Sequence, residues 1–423
     1  MEDELPSYEK AVKTAVLLLN RIDIDPLIRS GDNIICMNFR ELTEKANLWL
    51  SKHRNCRVIN CETLSTPYIK NKTQSQNSHF IPCEENILDI DGEYLPKCHY
   101  CLLKRLRVYI RSKTIYDSDE LDEIDFINFH INYSNYEMLD NDNTFYNIWT
   151  GILQSLNQYL NENSLPGTII NIQLQFINKD KMNDLNCSRF YEYSKDSNNS
   201  SVIFLRIFYI KGNINHQKLY AEDFIPQFIG NKQSKKKPKY ENMTSVMGRI
   251  QKWIFNRPNI HITNIQTLCV ELLKDFPQTL GSYKSDYHFS TSLRILRVYY
   301  TIKTPSLSIY PIKLTFKCFF PGIVRPDSSE TPRICESLDK LWYREVIPFV
   351  NYNSHVKIIN VETIALEENS NTHIMSDDNC KRKVLHVRVY FDGPVADPPP
   401  GFLMPPPSYS SSDYHKSQSC QIL

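Results

Sequence analysis

The sequence predicts an α+β protein of four tandem strand–helix–strand–strand (βαββ) repeat units, with the helices packed on one face of mainly antiparallel sheets, followed by a disordered Pro-rich C-terminal tail. Two recurrences indicate this fold. A polar–apolar strand pattern begins four times, at Asn60, Asn171, Asn264 and Asn360. Each copy precedes a strand with a central arginine, and these residues, Arg107, Arg206, Arg297 and Arg388, are 99, 91 and 91 residues apart. Self-similarity at such a period is typical of repeated structural units.

An apolar stripe before each of these strands predicts a helix. In the first unit the stripe is Leu42, Ala46, Trp49 and Leu50, at positions i, i+4, i+7 and i+8, which share one helix face. The corresponding residues are Ile152, Leu156, Tyr159 and Leu160, then Val246, Ile250, Trp253 and Ile254, and finally Trp342, Val346, Phe349 and Val350. The third residue of each stripe lies 11 residues before the strand asparagine in units one, three and four and 12 before it in unit two.

Alternation along the strands predicts two distinct sheet faces. In unit four, Ile359, Val361 and Thr363 alternate with Asn360 and Glu362, so the apolar residues face one way. We expect the helix stripe to cover this face and the Asn, Glu or Gln, Arg and Tyr residues to lie on the reverse face. A three-stranded sheet with one helix is marginal alone, so the units are expected to join sheets in pairs or to pack face on face.

The opening strand of each unit is less regular. We predict these strands at Asn33–Phe39, Phe126–Tyr133, Leu219–Ile229 and Ile312–Phe319, and a short amphipathic helix at residues 7–20. The expected organisation is an N-terminal helical segment at 1–30, repeat units at 31–114, 115–213, 214–304 and 305–393, and the tail at 394–423.

Bulk composition excludes several classes of protein. The net charge is +1, so nothing global favours nucleic acid as a partner. No apolar run approaches 18 residues, so no transmembrane helix is expected. The 12 cysteines have no framework spacing and no secretory signal precedes them, which favours reduced thiols in the cytoplasm or, as an alternative, the nucleus.

The polar residues of the reverse face are the candidate ligand face. They are Asn60, Glu62, Arg107, Asn171, Gln173, Arg206, Asn264, Gln266, Arg297, Asn360, Glu362 and Arg388. Glu62 and Arg107 could form a catalytic or anion-binding pair, or a structural cross-strand pair. Fourfold recurrence and the replacement of the glutamate by Gln in two units favour the structural interpretation, because a general acid or base needs the carboxylate.

The sequence indicates no metal or cofactor site. Cys98-His99-Tyr100-Cys101 has the spacing of half a zinc site, but no second pair follows at a suitable distance. No Gly-rich phosphate loop, nucleophile elbow or metalloprotease pattern is present. The basic run Lys235–Lys239 is either a solvated linker or a short nuclear-import signal.

The tail carries two short motifs. Pro406, Pro407 and Tyr409 match the Pro-Pro-x-Tyr ligand of WW domains, in which the prolines present a preformed ridge and the tyrosine fills a second pocket. Cys420 opens a C-a-a-X-like box that ends in Leu423, a pattern typical of geranylgeranylation, with an unmodified tail thiol as the alternative.

These observations predict a non-enzymatic adaptor or scaffold that recruits a WW-domain protein through its tail and is tethered by Cys420 to the cytoplasmic face of a membrane. A second hypothesis is a small-ligand-binding protein or enzyme with its site on the polar sheet face between units. A third is a nuclear protein imported through Lys235–Lys239.

Overall fold

The computed structural model describes most of the chain between residues 19 and 403. The described residues are 19–30, 33–72, 78–82, 87–89, 100–113, 117–130, 144–178, 184–186, 189–192, 201–214, 218–229, 240–271, 292–302, 311–325, 334–367, 375–376, 382–399 and 401–403. Within them the fold is α+β, as the sequence predicts, with four antiparallel sheets and few helices.

Four helical segments contain the four predicted apolar stripes. They are α1 (Phe39–Lys52), α2 (Thr144–Glu162), α3 (Met243–Phe255) and α4, which comprises Leu338–Leu341, a π-helical turn at Trp342–Val346, and Ile347–Tyr352. Side-chain caps fix three of the starts, since the side chains of Asn38, Asn242 and Ser337 accept hydrogen bonds from backbone N–H groups of the first turn.

The aliphatic stripe positions are buried, whereas the aromatic position varies. Leu156 is fully buried, but Tyr159 on the same helix is 38% exposed. In α4, by contrast, Phe349 is only 1% exposed. A π-helical turn, Trp342–Val346, precedes this buried ring in α4.

Each of the four sheets, numbered 1 to 4 in chain order, has an edge strand, a central strand and an axial strand, named by position. The strands of each kind are given below in the order of sheets 1 to 4. The edge strands are Asn20–Ile24, Ile124–His130, Leu219–Phe224 and Leu314–Phe319. The axial strands are Cys56–Lys72, Gly167–Asn178, Ile260–Glu271 and Lys357–Glu367. The central strands are Tyr100–Ser112, Ser201–Lys211, Ser292–Ile302 and Arg382–Asp392. In every sheet the central strand pairs antiparallel with the other two, and a helix lies between the edge and axial strands in sequence.

The opening of the chain differs from the sequence expectation. The edge strand of sheet 1 is Asn20–Ile24, whereas Asn33–Cys36, within the predicted strand Asn33–Phe39, forms a separate hairpin with Leu27–Ser30. Asn20 therefore belongs to a strand and not to the predicted helix at 7–20, whose first twelve residues lie outside the described part. In sheet 3 the edge strand ends at Phe224, two residues before Pro226, because proline cannot donate a ladder hydrogen bond.

Short strands link neighbouring sheets. Arg189–Glu192, after the axial strand of sheet 2, pairs with the central strand of sheet 1. In the same way Met375–Ser376 pairs with the central strand of sheet 3, and Ile87–Asp89 with that of sheet 4. The remaining short strands are Ser78–Pro82, which pairs with Cys56–Lys72, and the pair Ile323–Arg325 and Ile334–Cys335.

Each helix packs between its own sheet and the reverse face of the next sheet. The core around α1 contains Phe208 of sheet 2, and the core around α2 contains Tyr299 of sheet 3. The core around α3 contains Tyr390 of sheet 4, and the core around α4 contains Tyr109 of sheet 1. These four aromatics lie two residues after the four central-strand arginines, so the sheets close into a ring through equivalent positions.

Within the described residues, none of the helices combines the length and the apolar character that crossing a bilayer requires.

Candidate functional site

The candidate site lies where the four axial strands meet. These strands contact one another in a cycle that runs from sheet 1 to 2, 3, 4 and back to 1. Near its asparagine each axial strand is paired on one side only, by the central strand. The other side presents backbone N–H and C=O groups toward the ring axis, and such an open edge needs partners when it is buried.

The four strand asparagines supply donors to this edge. Each Nδ2 donates to a backbone carbonyl of the preceding sheet in the ring: Asn171 to Cys61 (2.6 Å), Asn264 to Ile172 (3.0 Å), Asn360 to Ile265 (2.8 Å) and Asn60 to Val361 (3.0 Å). The last of these bonds joins sheets 1 and 4 through two residues that are 301 positions apart in the sequence, and thereby closes the cycle.

The glutamate and glutamine positions supply the matching acceptors. Each side-chain Oε1 accepts a backbone N–H of the preceding sheet: Gln173 from Thr63 (2.8 Å), Gln266 from Leu174 (3.1 Å), Glu362 from Thr267, and Glu62 from Thr363 (2.9 Å). An amide oxygen performs this task as well as a carboxylate oxygen. Glu at positions 62 and 362 and Gln at positions 173 and 266 therefore fill the same structural role.

The four arginines lie on the central strands and are directly opposite the Glu or Gln positions, in the register the sequence suggests. Their main partners, however, lie on the edge strands. Arg107 donates twice to Asp23 (2.5 and 2.6 Å) and Arg297 twice to Asp223 (both 2.6 Å). Arg206 donates to Asn128 (2.9 Å) and Arg388 to the Sγ of Cys318 (3.2 Å).

The expected Glu62–Arg107 ion pair is therefore replaced in sheet 1 by Asp23–Arg107. Sequence reasoning missed the edge-strand partners because Asp23 fell in the segment predicted to be helical. A sequence signal was present for Asp23, which lies between Ile22 and Ile24 in the short strand Asn20–Ile24. In sheet 4 a longer contact does join the predicted partners, with 3.8 Å between Arg388 Nη1 and Glu362 Oε2.

Burial is the largest influence on the pKa values of the two glutamates. It raises the pKa of Glu62 to about 7, against the opposing effect of Arg107, and it also raises the pKa of Glu362. Burial would also raise the pKa of Asp23, but the charge and hydrogen bonds of Arg107 outweigh it and the pKa of Asp23 is lowered. A raised carboxyl pKa is one mark of an acid–base catalyst. Both oxygens of Glu62 are nevertheless engaged, by Thr363 N–H and by the hydroxyl of Tyr109 (2.7 Å).

Two cavities open on the ring axis, one on each side of the asparagines. One of about 280 Å³ is walled by residues of all four axial strands, including Glu62, Gln173, Gln266 and Glu362. The other, of about 580 Å³, is walled by the first residues of the same strands and by the turn after α4. The polar and the apolar ends of the axial strands thus form two separate chambers.

The tail positions and several other candidates lie outside the described residues. These are Pro406, Pro407, Tyr409, Cys420, the run 235–239, and Cys98 with His99. Over the part of the chain that is described, no group of three or more His, Cys, Asp or Glu residues is arranged to hold a metal ion.

Comparison with known proteins gives no family model, no curated protein and no solved structure that matches this chain.

Proposed function

We propose that the protein is a non-enzymatic adaptor, in which four copies of one βαββ unit form a rigid closed ring and the Pro-rich tail recruits a WW-domain protein. The same strand order, the same helix position and the same ring-directed hydrogen bonds in all four sheets support a common unit. Repeats of this kind stabilise one another because each buries the face that its neighbour exposes.

The hydrogen bonding of the Asn, Glu and Gln side chains on the axial strands supports a scaffold over an enzyme. The Oε1 of each Glu or Gln accepts a backbone N–H of the neighbouring sheet, and the Oε2 atoms of Glu62 and Glu362 accept hydroxyl groups of Tyr109 and Thr267. Each asparagine donates to a neighbouring carbonyl. A general acid or base must instead reach a proton on the substrate, and a side chain committed to a backbone edge is poorly placed to do so.

The observation that carries the adaptor proposal is how the tail leaves the ring. The Pro-rich composition after Gly393 suggests that the tail leaves the ring at that residue. Ala396, however, exchanges two hydrogen bonds with the Asn353 side chain (2.9 and 3.0 Å). Farther along, Phe402 packs edge-on against Tyr352, with ring centroids 5.3 Å apart. The Pro-Pro-x-Tyr motif begins four residues after Phe402. Its prolines are therefore attached close to a fixed point on the ring, a favourable arrangement for presenting a ligand.

Replacing Tyr409 with alanine is expected to weaken binding of the full-length protein to a responsive WW domain by at least about tenfold, because an aromatic anchor that fills a pocket contributes on the order of 2 kcal/mol. Binding to a panel of purified WW domains would measure this. The matched control is Tyr414→Ala, which removes a tyrosine from the same tail outside the motif. Equal binding by the Tyr409→Ala and wild-type proteins would contradict the proposal, as would failure of the wild type to bind any domain of the panel.

We further propose that Cys420 carries a geranylgeranyl group that brings the adaptor to the cytoplasmic face of membranes. Cells fed a labelled isoprenoid precursor are expected to label the wild-type protein but not the Cys420→Ser variant. A single lipid chain gives only marginal anchoring, so the membrane-bound fraction should be partial and should rise when the WW-domain partner is itself membrane-bound. Label that persists in Cys420→Ser, or is absent from the wild type, would remove the tether and leave the WW-domain proposal intact.

A further inference from the structure

The larger axial cavity has the dimensions of a ligand site. Its volume of about 580 Å³ falls within the ~300–1,000 Å³ that small-molecule sites usually span. All four sheets contribute to its wall through the first residues of their axial strands, so the cavity lies on the ring axis. The hydrogen-bonded asparagines Asn60 and Asn360, with their two counterparts, separate it from the polar chamber.

A β-bulge in every axial strand shapes this wall. Each ladder shifts register at the residue immediately before the strand asparagine. The four bulged residues are Ile59, Ile170, Thr263 and Ile359, and all four line the cavity. Bulges locally re-aim side chains and are common next to binding sites. Four bulges at one level turn four side chains, three of them isoleucines, toward a single space.

The rest of the lining gives the cavity an apolar body and a polar rim. Aliphatic side chains such as Val58, Ile262 and Ile358 extend the wall. At the rim stand Lys357 and His355, both exposed, with Asp392 opposite Lys357 in the sheet register. Asp392 Oδ1 accepts the backbone N–H of Lys313 at 3.0 Å, which holds the carboxylate in place.

Arg111 and His261 also line the cavity, and the charge of Arg111 is balanced within the protein. Arg111 donates two hydrogen bonds to the carboxylate of Asp117, at 2.6 and 2.7 Å. Its charge is thereby compensated by the protein itself. Lys357 and His355, in the strand and the turn after α4, are exposed at the mouth of the cavity, where they can meet a ligand head group.

We propose that the axial cavity binds a single-chain amphipathic anion, with its hydrocarbon body against the four bulged residues and its carboxylate at the rim beside Lys357 and His355. Burial of the chain supplies the affinity, because apolar surface leaves water. The ammonium of Lys357 supplies the preference for an anion, through a charge-assisted hydrogen bond. This site is independent of the tail and of the WW-domain proposal.

Isothermal titration calorimetry of the full-length protein with decanoate and with decanol tests the site. The wild type should bind decanoate saturably with one site per chain, and decanol more weakly. Lys357→Ala should weaken decanoate binding by about tenfold, the effect of losing a hydrogen bond to a charged group, and leave decanol binding unchanged. Ile170→Trp, which fills the cavity, should abolish binding of both.

Ser65→Trp is the matched control, because Ser65 lines the chamber at the opposite end of the axis and is exposed. It should bind both probes as the wild type does. If Ile170→Trp fails to unfold cooperatively, Ile359→Trp replaces it at an equivalent bulge. The proposal is overturned if decanoate binding is not saturable, or if decanol binds as tightly as decanoate and Lys357→Ala has no effect. It is also overturned if Ile170→Trp and Ser65→Trp have the same effect on binding.

Discussion

Replacing Asp223 with alanine is expected to lower the free energy of unfolding by about 3–5 kcal/mol, the usual cost of removing one partner from a buried ion pair. The Arg297 side chain is fully shielded from solvent, and Asp223 is 9% exposed. Burial alone would lower the pKa of Arg297, but hydrogen bonding to Asp223 and its charge raise it. Without the carboxylate, the guanidinium would remain buried and lose its two strongest hydrogen bonds.

Two further variants make this prediction specific. Asp223→Asn should cost less than Asp223→Ala, because Asn128 stands opposite Arg206 in sheet 2 and accepts its Nε–H at 2.9 Å. Glu222→Ala removes the adjacent acidic residue, which is exposed, and should change stability by less than about 0.5 kcal/mol. Urea unfolding followed by circular dichroism measures all three. A loss from Asp223→Ala no larger than that from Glu222→Ala would show that the ion pair does not form.

Replacing Glu62 with glutamine is expected to stabilise the protein at neutral pH. The pKa of Glu62 is about 7 in the folded protein, against an ordinary value of 4.5, and burial is the main cause. A carboxyl group with a raised folded pKa favours folding at low pH, and this contribution is lost as pH rises from about 4.5 through 7. The difference corresponds to about 3 kcal/mol. Glutamine keeps the Oε1 acceptor for Thr363 N–H and avoids burying a charge.

The expected signature is a pH dependence as well as a change in stability. The advantage of Glu62→Gln over the wild type should be small near pH 4.5, grow between pH 4.5 and 7, and level off above. Gln266 beside Tyr299 in sheet 3 shows that the substitution fits next to a tyrosine. Glu44→Gln, at an exposed position of α1, is the control and should give a curve parallel to that of the wild type. A parallel curve for Glu62→Gln as well would mean that the buried carboxyl is not the source of the pH dependence.

The sequence predicts the helices and the central and axial strands because their patterns are local. Leu42, Ala46 and Leu50 repeat with helical spacing, and Val387 and Val389 alternate with Arg388, so periodicity alone places them. Ring closure has no such local pattern. The bond from Asn60 to Val361 joins residues 301 positions apart, and it depends on an edge that only the tertiary structure creates.

The bulges and the edge-strand partners were missed for physical reasons as well. Ile359 fits a regular alternation with Val361, but the bulge takes it out of the pleat and places it in the axial cavity. The edge strand Asn20–Ile24 is five residues long, too short to show a period above the background of a flanking loop. Cys318, the partner of Arg388, carries no charge that would mark it as a partner in the sequence.

The most direct test of ring closure is hydrogen exchange at the four backbone amides that donate to the neighbouring sheet. Three belong to Thr63, Thr267 and Thr363 and one to Leu174, so selective ¹⁵N labelling of threonine and leucine makes them observable by NMR. A closed ring predicts that all four exchange slowly, at the rate set by global unfolding. Rapid exchange of Thr363 alone, with the other three protected, would show that sheets 4 and 1 are not joined and would contradict the closed ring.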